Sequence, residues 1–87
     1  MTDQREITID ISMYPLREEY IAPIDRFIEL VNGDGALKVV TTPTSTIVQG
    51  PTLIAMAAVQ SALLQCYEEF GRAVFVVKYI PDYRALD

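Results

Sequence analysis

Strand-like and helix-like segments follow one another along the 87 residues in the order strand, helix, strand, strand, helix, strand. This order is the split β-α-β pattern of ferredoxin-like folds. The right-handed crossover rule places the third strand between the first two and antiparallel to the first, which gives the sheet order 4-1-3-2. We therefore predict one α+β domain over residues 1–87, a ferredoxin-like sandwich whose two helices pack on one face of an antiparallel sheet.

The elements are defined by their periodicity and by the residues that end them. Apolar and polar side chains alternate from Ile7 to Tyr14, as in a strand with one buried face, and Pro15 ends the pattern. Asn32-Gly33 can take the left-handed conformation that stops a helix, and Thr52 is a suitable N-cap. The predicted elements are a strand over 7–14, a helix over 20–31, two strands over 37–42 and 45–50 that form a hairpin, a helix over 52–70 and a strand over 73–80, followed by a loose tail from about residue 82.

Charge and composition exclude several classes of function. The net charge is −5 and the seven basic residues form no cluster, so we expect no nucleic-acid partner. No apolar run reaches the ~18 residues of a membrane span, and the first six residues lack a signal-peptide pattern, so we expect a cytoplasmic protein with no membrane partner. The chain has no histidine, and its one cysteine, Cys66, has apolar neighbours that suit the core. We expect no metal, no cofactor and no catalytic residue.

The predicted topology brings two polar stretches to the same end of the sheet, although about thirty residues separate them in sequence. Ser12, Met13 and Tyr14 end the first strand, and the hydroxyl-rich segment 41–46 joins the second strand to the third. Hydroxyl groups donate and accept hydrogen bonds, so this rim could bind a ring that carries an amino group and a ring nitrogen. The simpler interpretation is that threonine and serine favour strands and turns.

Two short motifs resemble a known family. Ser12-Met13-Tyr14-Pro15-Leu16 resembles the SLYPM or SLYPL segment at the end of the first strand of thiamine-binding YkoF-like proteins, and Ser45-Thr46-Ile47-Val48-Gln49-Gly50 resembles their STxxxG segment on the third strand. The spacing of the motifs, the alanine-rich second helix and the valine-rich last strand are also similar, so the resemblance covers residues from about Ile7 to Ile80. The chain departs from the family in having Met13 in place of leucine and Gln49 where a relative has arginine.

The resemblance implies a ferredoxin-like domain that binds thiamine or its hydroxymethylpyrimidine part without turning it over. It also implies assembly into dimers or higher oligomers. It places ligand contacts on the backbone of Met13 and on Thr46. Ser12, Tyr14 and Ser45 belong to the same polar rim and complete the predicted ligand-binding set.

Acidic residues near the first strand could help to bind such a ligand. Glu18 and Glu19 would suit the positive charge of a thiazolium ring, or they complement the dipole of the following helix. Asp10 shares the face of Ser12 and could accept a hydrogen bond from a pyrimidine amino group, or it is a solvated strand carboxylate.

The last strand, 73–80, is apolar on both faces over most of its length. A sheet that helices cover on one face only should carry polar residues on the other. A second copy that packs sheet against sheet would cover the additional apolar face. We therefore expect a homodimer or a homotetramer that forms through the open sheet face.

Two other functions are compatible with the same fold. An ACT-like regulatory domain would bind an amino acid at a subunit interface, but Tyr14-Pro15-Leu16 replaces the glycine-rich turn expected after the first strand. An acylphosphatase would need an arginine after that strand, which Arg17 could supply, and a glycine-rich phosphate-binding loop, which the sequence lacks. We therefore expect binding of a small molecule without catalysis.

Overall fold

The computed structural model describes residues 5–87, so residues 1–4, which entered the signal-peptide prediction, lie outside the described part. The elements are β1 Glu6–Pro15, α1 Ile21–Asn32, β2 Lys38–Thr41, β3 Thr46–Pro51, α2 Thr52–Phe70 and β4 Ala73–Pro81. The four strands form one antiparallel sheet in the order β2-β3-β1-β4, which confirms the predicted ferredoxin-like α+β fold.

Alternation along β1 decides which side of the sheet is buried. Ile7, Ile9 and Ile11 are at most 2% exposed and belong to the same core as Phe27 and Val31 of α1. Burying an isoleucine side chain stabilises the fold by about 1.5–3 kcal/mol, so this row anchors the helices on the sheet. The other buried members of the core are Val48, Ala55, Val59, Ala62 and Cys66.

The two helices end in different ways. α2 ends at Gly71 as predicted, and its φ of 84° is a conformation that glycine adopts without strain. The predicted left-handed stop of α1 is wrong, because Gly33 has a φ of −72° and its N–H donates to the carbonyl of Leu30 in a tightened last turn. The N-cap of α2 is Pro51, so the prediction of Thr52 as the N-cap is wrong by one residue. Neither helix within residues 5–87 is long and apolar enough to cross a membrane.

An ion pair at the surface orients α1 against α2. Arg26 of α1 donates from Nε to Oε1 of Glu69 at 3.0 Å and from Nη2 to Oε2 of Glu69 at 3.1 Å. These hydrogen bonds lower the pKa of the Glu69 carboxyl group below its usual range. Both side chains are about one third exposed, so the pair fixes geometry more than it adds stability.

The C-terminal residues 82–87 lie across one end of the open sheet face, in place of the loose tail that the sequence predicts. Thr8 Oγ1 donates to the carbonyl of Tyr83 at 2.8 Å, and Gln49 Oε1 accepts from the N–H of Leu86 at 2.7 Å. The tail thus covers two polar side chains of the sheet, which are 2% and 1% exposed. Contacts of this kind use tail backbone groups that every sequence carries, so the sequence pattern does not reveal them.

The space around Gly50 of β3 is too small for a β-carbon. A β-carbon there would lie 2.5 Å from Cδ2 of Leu37 and 3.2 Å from the carbonyl oxygen of Ala36, and the backbone contact cannot be relieved by a rotamer change. We therefore expect Gly50→Ala to lower the free energy of unfolding by about 1–3 kcal/mol. Gly35→Ala is the matched control, because nothing lies within 4 Å of its β-carbon position. Urea unfolding measures the free energy of unfolding of both variants. Equal decreases in Gly50→Ala and Gly35→Ala would contradict the prediction.

Candidate functional site

A cavity of about 460 Å³ lies between α1 and the β2–β3 hairpin, at the end of the sheet where β1 ends. Its apolar wall comes from Ile11 and Met13 of β1 and from Ile24, Phe27 and Ile28 of α1. The opposite edge carries hydroxyl groups from the hairpin, on Thr41, Thr42, Thr44, Ser45 and Thr46. A largely apolar pocket with a few convergent polar groups is the usual form of a site for a small organic ligand.

The hairpin is held in one conformation by hydrogen bonds of its own. The N–H of Thr42 donates to the carbonyl of Ser45 at 2.8 Å, and Thr42 Oγ1 accepts from the N–H of Ser45 at 3.1 Å. Ser12 Oγ of β1 donates to the carbonyl of Thr44 at 3.0 Å, which ties the turn to the central part of the sheet. The polar edge of the cavity is therefore arranged before any ligand arrives, which lowers the entropic cost of binding.

The structure brings the two predicted motifs together. Ile11 and Thr46 are directly paired across β1 and β3. Ser12 does not line the cavity, and its hydroxyl is engaged by the hairpin carbonyl, so it supports the turn from outside the cavity. The other four residues of the predicted ligand-binding set do line it: Met13, Tyr14, Ser45 and Thr46.

Thr46 combines burial with an unused hydroxyl group. The residue is 5% exposed, it lines the cavity, and its hydroxyl has no hydrogen bond within residues 5–87. The hydroxyl oxygen itself is open to the cavity and has no protein partner, since the one fully buried side-chain oxygen without a partner in residues 5–87 is Oδ1 of Asp10. A hydrogen-bonding group of a ligand in the cavity would supply that partner.

Backbone groups of β1 are also available beside the cavity. β1 pairs with β4 as far as Pro15, but its pairing with β3 stops at Ile11. The edge of β1 that faces the hairpin at Met13 therefore has no strand partner within the described residues. Unpaired N–H and C=O groups on a strand edge readily accept a new partner.

Arg17 is the one charged residue among the described residues that line the cavity. Its guanidinium lies over the ring of Phe70, 5.6 Å from the ring centroid, in a cation–π arrangement. It makes no ion pair or hydrogen bond within residues 5–87. The charge at the cavity is thus positive, in a protein whose net charge is −5.

The two acidic residues that could attract a cationic ligand do not line the cavity. Glu19 Oε1 accepts from the N–H groups of Ile21 and Ala22, at 3.1 and 3.2 Å, and so satisfies the start of α1. The interpretation that this acid serves the helix is confirmed for Glu19. Glu18 is exposed and lies outside the cavity lining.

Asp10 lies in the middle of the open sheet face and does not line the cavity, so its predicted contact with a pyrimidine amino group has no support in the geometry. Its Oδ1 atom is buried and has no hydrogen-bond partner among residues 5–87. Lys78 is directly opposite on β4, yet the two side chains form no ion pair in the described part of the chain.

The helix side of the cavity was missed by the sequence analysis. Ile24 and Ile28 follow the apolar stripe of α1, and this periodicity alone assigns them to the core. Tyr20 also lines the cavity and is 53% exposed. Tyr20 is the first residue of the predicted apolar stripe, so the sequence carries no separate signal that places it at the cavity.

Cys66 is buried in the core and lies outside the cavity. Burial raises the pKa of its thiol, so the reactive thiolate is disfavoured. Residues 5–87 also contain no group of three potential metal ligands. The polar chemistry available at the cavity is therefore that of hydroxyl groups, backbone groups, tyrosines and one guanidinium.

One solved structure with the same architecture belongs to a protein with a link to thiamine. The chain is similar to a Thermotoga maritima protein provisionally assigned to thiamine biosynthesis or salvage, with a TM-score of 0.78 and 27% identity over 92% of this chain and 85% of that one. It is also similar to a Streptococcus pneumoniae protein, with a TM-score of 0.78 and 25% identity over 85% of this chain and 83% of that one.

A third similar structure is a DUF77 domain of unknown function from Bacillus cereus, with a TM-score of 0.76 and 19% identity over 94% of this chain and 79% of that one. At this identity the likeness shows the fold alone. No family model and no curated protein matches the chain. The structural matches confirm the ferredoxin-like fold that the resemblance implied, and the Thermotoga maritima protein adds a link to thiamine.

Proposed function

We propose that this chain is a non-catalytic cytosolic protein that binds thiamine or its hydroxymethylpyrimidine part. The main support is the cavity, whose rim is built from the two segments that resemble the motifs of thiamine-binding YkoF-like proteins. The similarity to the Thermotoga maritima protein with a provisional role in thiamine biosynthesis or salvage supports the same class of ligand.

In this proposal the flat pyrimidine ring packs against the apolar wall formed by Ile24 and Phe27. The Thr46 hydroxyl hydrogen-bonds a ring nitrogen or the amino group, because a hydroxyl can either donate or accept. The unpaired backbone edge at Met13 supplies a second polar contact. The volume of about 460 Å³ falls within the range of about 300–1,000 Å³ that small-molecule sites occupy.

The residues around the cavity favour binding without reaction. The chain has no histidine, and the thiol of Cys66 is buried in the core. The polar neighbour of the Ser45 hydroxyl is another hydroxyl, that of Thr42 at 3.5 Å. A hydroxyl group without a neighbouring base is a weak nucleophile at neutral pH. The proposed role is therefore to take up or buffer the ligand.

Thr46→Val tests the proposed contact, because it removes the hydroxyl and preserves the shape of the side chain. We expect about tenfold weaker binding of hydroxymethylpyrimidine, which corresponds to the loss of one buried hydrogen bond. Stability should stay within about 0.5 kcal/mol of the unchanged protein, since the hydroxyl has no partner in the described chain. Isothermal titration measures the affinity and urea unfolding measures the stability.

Ser61→Ala is the control for this experiment, because it removes an exposed hydroxyl of α2 that does not line the cavity. It should bind the ligand as the unchanged protein does. Unchanged affinity in the Thr46→Val protein would contradict the proposed contact. Binding of an amino acid but of no pyrimidine in the titration would favour the ACT-like function. Hydrolysis of an acyl phosphate would show that the protein is an enzyme. Either result would replace the proposal.

We also propose that a second copy of the chain covers the open face of the sheet. Val40 of β2 and Val74 and Val76 of β4 are 45%, 47% and 49% exposed there. The tail, residues 82–87, occupies only the opposite end of this face, where it covers Thr8. These valines lie on the two edge strands of the sheet, and exposed apolar side chains of this kind are stabilised when another sheet packs over them.

Charge complementarity favours a copy of the same chain as the occupant of this face. Asp10 and Lys78 are directly opposed across β1 and β4, and neither has an ion-pair partner among residues 5–87. A two-fold axis that passes close to this pair would bring the Lys78 of one chain to the side of Asp10 on the other. Such pairing would supply a partner for a carboxylate that has an unpaired oxygen within the described monomer.

A further inference from the structure

We infer that the preferred ligand carries an anionic group, such as a phosphate ester, and that Arg17 binds this group. This inference rests on the proposed function and adds the charge of the ligand to it. It selects a phosphorylated hydroxymethylpyrimidine over thiamine, whose thiazolium ring is a cation.

The first observation is the charge of the cavity lining. The sequence contains 12 acidic residues, but none of those described lines the cavity, and Arg17 does. A cation in this cavity would face a like charge, with no acidic side chain in the lining to offset it. An anion would instead be attracted by the guanidinium, and because Arg17 is exposed, salt should screen part of that attraction.

The second observation is that the guanidinium is positioned and unused. It is held over the Phe70 ring at 5.6 Å and has no ion pair or hydrogen bond within residues 5–87. By contrast, Arg26 pairs with Glu69 and Arg84 pairs with Glu6. A planar guanidinium with free N–H groups is well suited to bind two oxygens of a phosphate at once.

The third observation is a set of unused hydroxyl groups in the same cavity. Thr41 and Thr44 line it, and neither side-chain hydroxyl forms a hydrogen bond within the described residues. Hydroxyl groups donate to phosphate oxygens as readily as to a ring nitrogen. The cavity therefore offers an apolar wall for a neutral ring together with donors and one positive charge for an anion.

The test is isothermal titration of the unchanged protein with hydroxymethylpyrimidine, with its phosphate ester and with thiamine. We expect the phosphate ester to bind about tenfold more tightly than the unphosphorylated alcohol, which is the usual strength of a charge-assisted contact that is partly open to water. This advantage should shrink when the titration is repeated at high salt, because ions screen the attraction. Thiamine should bind more weakly than the phosphate ester.

Two charge-neutralising variants localise the effect. Arg17→Gln is expected to remove the advantage of the phosphate ester. Arg72→Gln removes the same charge from a nearby residue that does not line the cavity, and it should retain the advantage. Urea unfolding checks that both variants are folded. The comparison of the three ligands uses the unchanged protein, so it remains a test even if a variant does not fold.

The outcomes separate this inference from the function on which it rests. If the unchanged protein binds the alcohol and its phosphate ester equally, or if Arg17→Gln keeps the advantage, the anionic ligand is ruled out and pyrimidine binding stands. Tighter binding of thiamine than of the phosphate ester would also overturn the inference. Failure of every pyrimidine to bind would overturn the proposed function, and the inference with it.

Discussion

A protein with glutamate in place of Val76 is expected to be a monomer at concentrations where the unchanged chain self-associates. Val76 is 49% exposed on the open sheet face and is paired with Ser12 across β4 and β1. In the proposed sheet-to-sheet pairing a carboxylate at this position would lose its water without gaining a partner, which costs several kcal/mol. The two-fold axis applies this cost twice, so the dissociation constant should rise by on the order of a thousandfold or more.

Leu53→Glu is the matched control for this variant. Leu53 is 67% exposed on α2, on the helix side of the sheet, so its replacement should leave the association unchanged. Sedimentation equilibrium over a range of concentrations measures the mass of each protein. If Val76→Glu associates as the unchanged protein does, or if the unchanged protein is a monomer throughout, the open face is not the interface.

Phe27→Ala is expected to lower the free energy of unfolding by about 3–5 kcal/mol, the usual cost of removing a buried aromatic ring. Phe27 is 2% exposed, and its ring centroid lies 5.6 Å from that of Phe75 at an interplanar angle of 49°. Tilted aromatic pairs of this kind add to the energy of burial. Since domains are stable by only about 5–15 kcal/mol, the variant should lose a large part of its stability.

The control for this prediction is Leu64→Ala, which truncates a large apolar residue that is 61% exposed on α2. A surface truncation of this kind should change the stability by no more than about 0.5 kcal/mol. Urea unfolding compares the two variants with the unchanged protein. Equal losses in Phe27→Ala and Leu64→Ala would mean that Phe27 does not hold α1 to the sheet.

The architecture could be predicted because local patterns and chain handedness determine it. The alternation from Ile7 to Tyr14 identifies the central strand, and Gly71 marks the end of α2 through a φ that other residues avoid. The handedness rule then restricts the sheet to one order, which the structure has. The same rule placed the two motifs side by side, as the pairing of Ile11 with Thr46 confirms.

The composition of the cavity could be predicted only in part. An apolar residue such as Ile24 has the same helical spacing whether it faces the core or a cavity, so periodicity does not distinguish the two. The place of Arg17 depends on the path of the segment between β1 and α1, which carries no periodic signal. The tail from Asp82 to Asp87 also escaped prediction, because its contacts with Thr8 and Gln49 use backbone groups, which every sequence carries.

A crystal structure of the protein grown with hydroxymethylpyrimidine tests most directly whether the space between α1 and the hairpin holds the ligand. We predict density for the ring against Phe27, with a ring nitrogen or the amino group within hydrogen-bonding distance of the Thr46 hydroxyl. A ring bound on the open sheet face near Asp10, with the cavity empty, would contradict the proposed site.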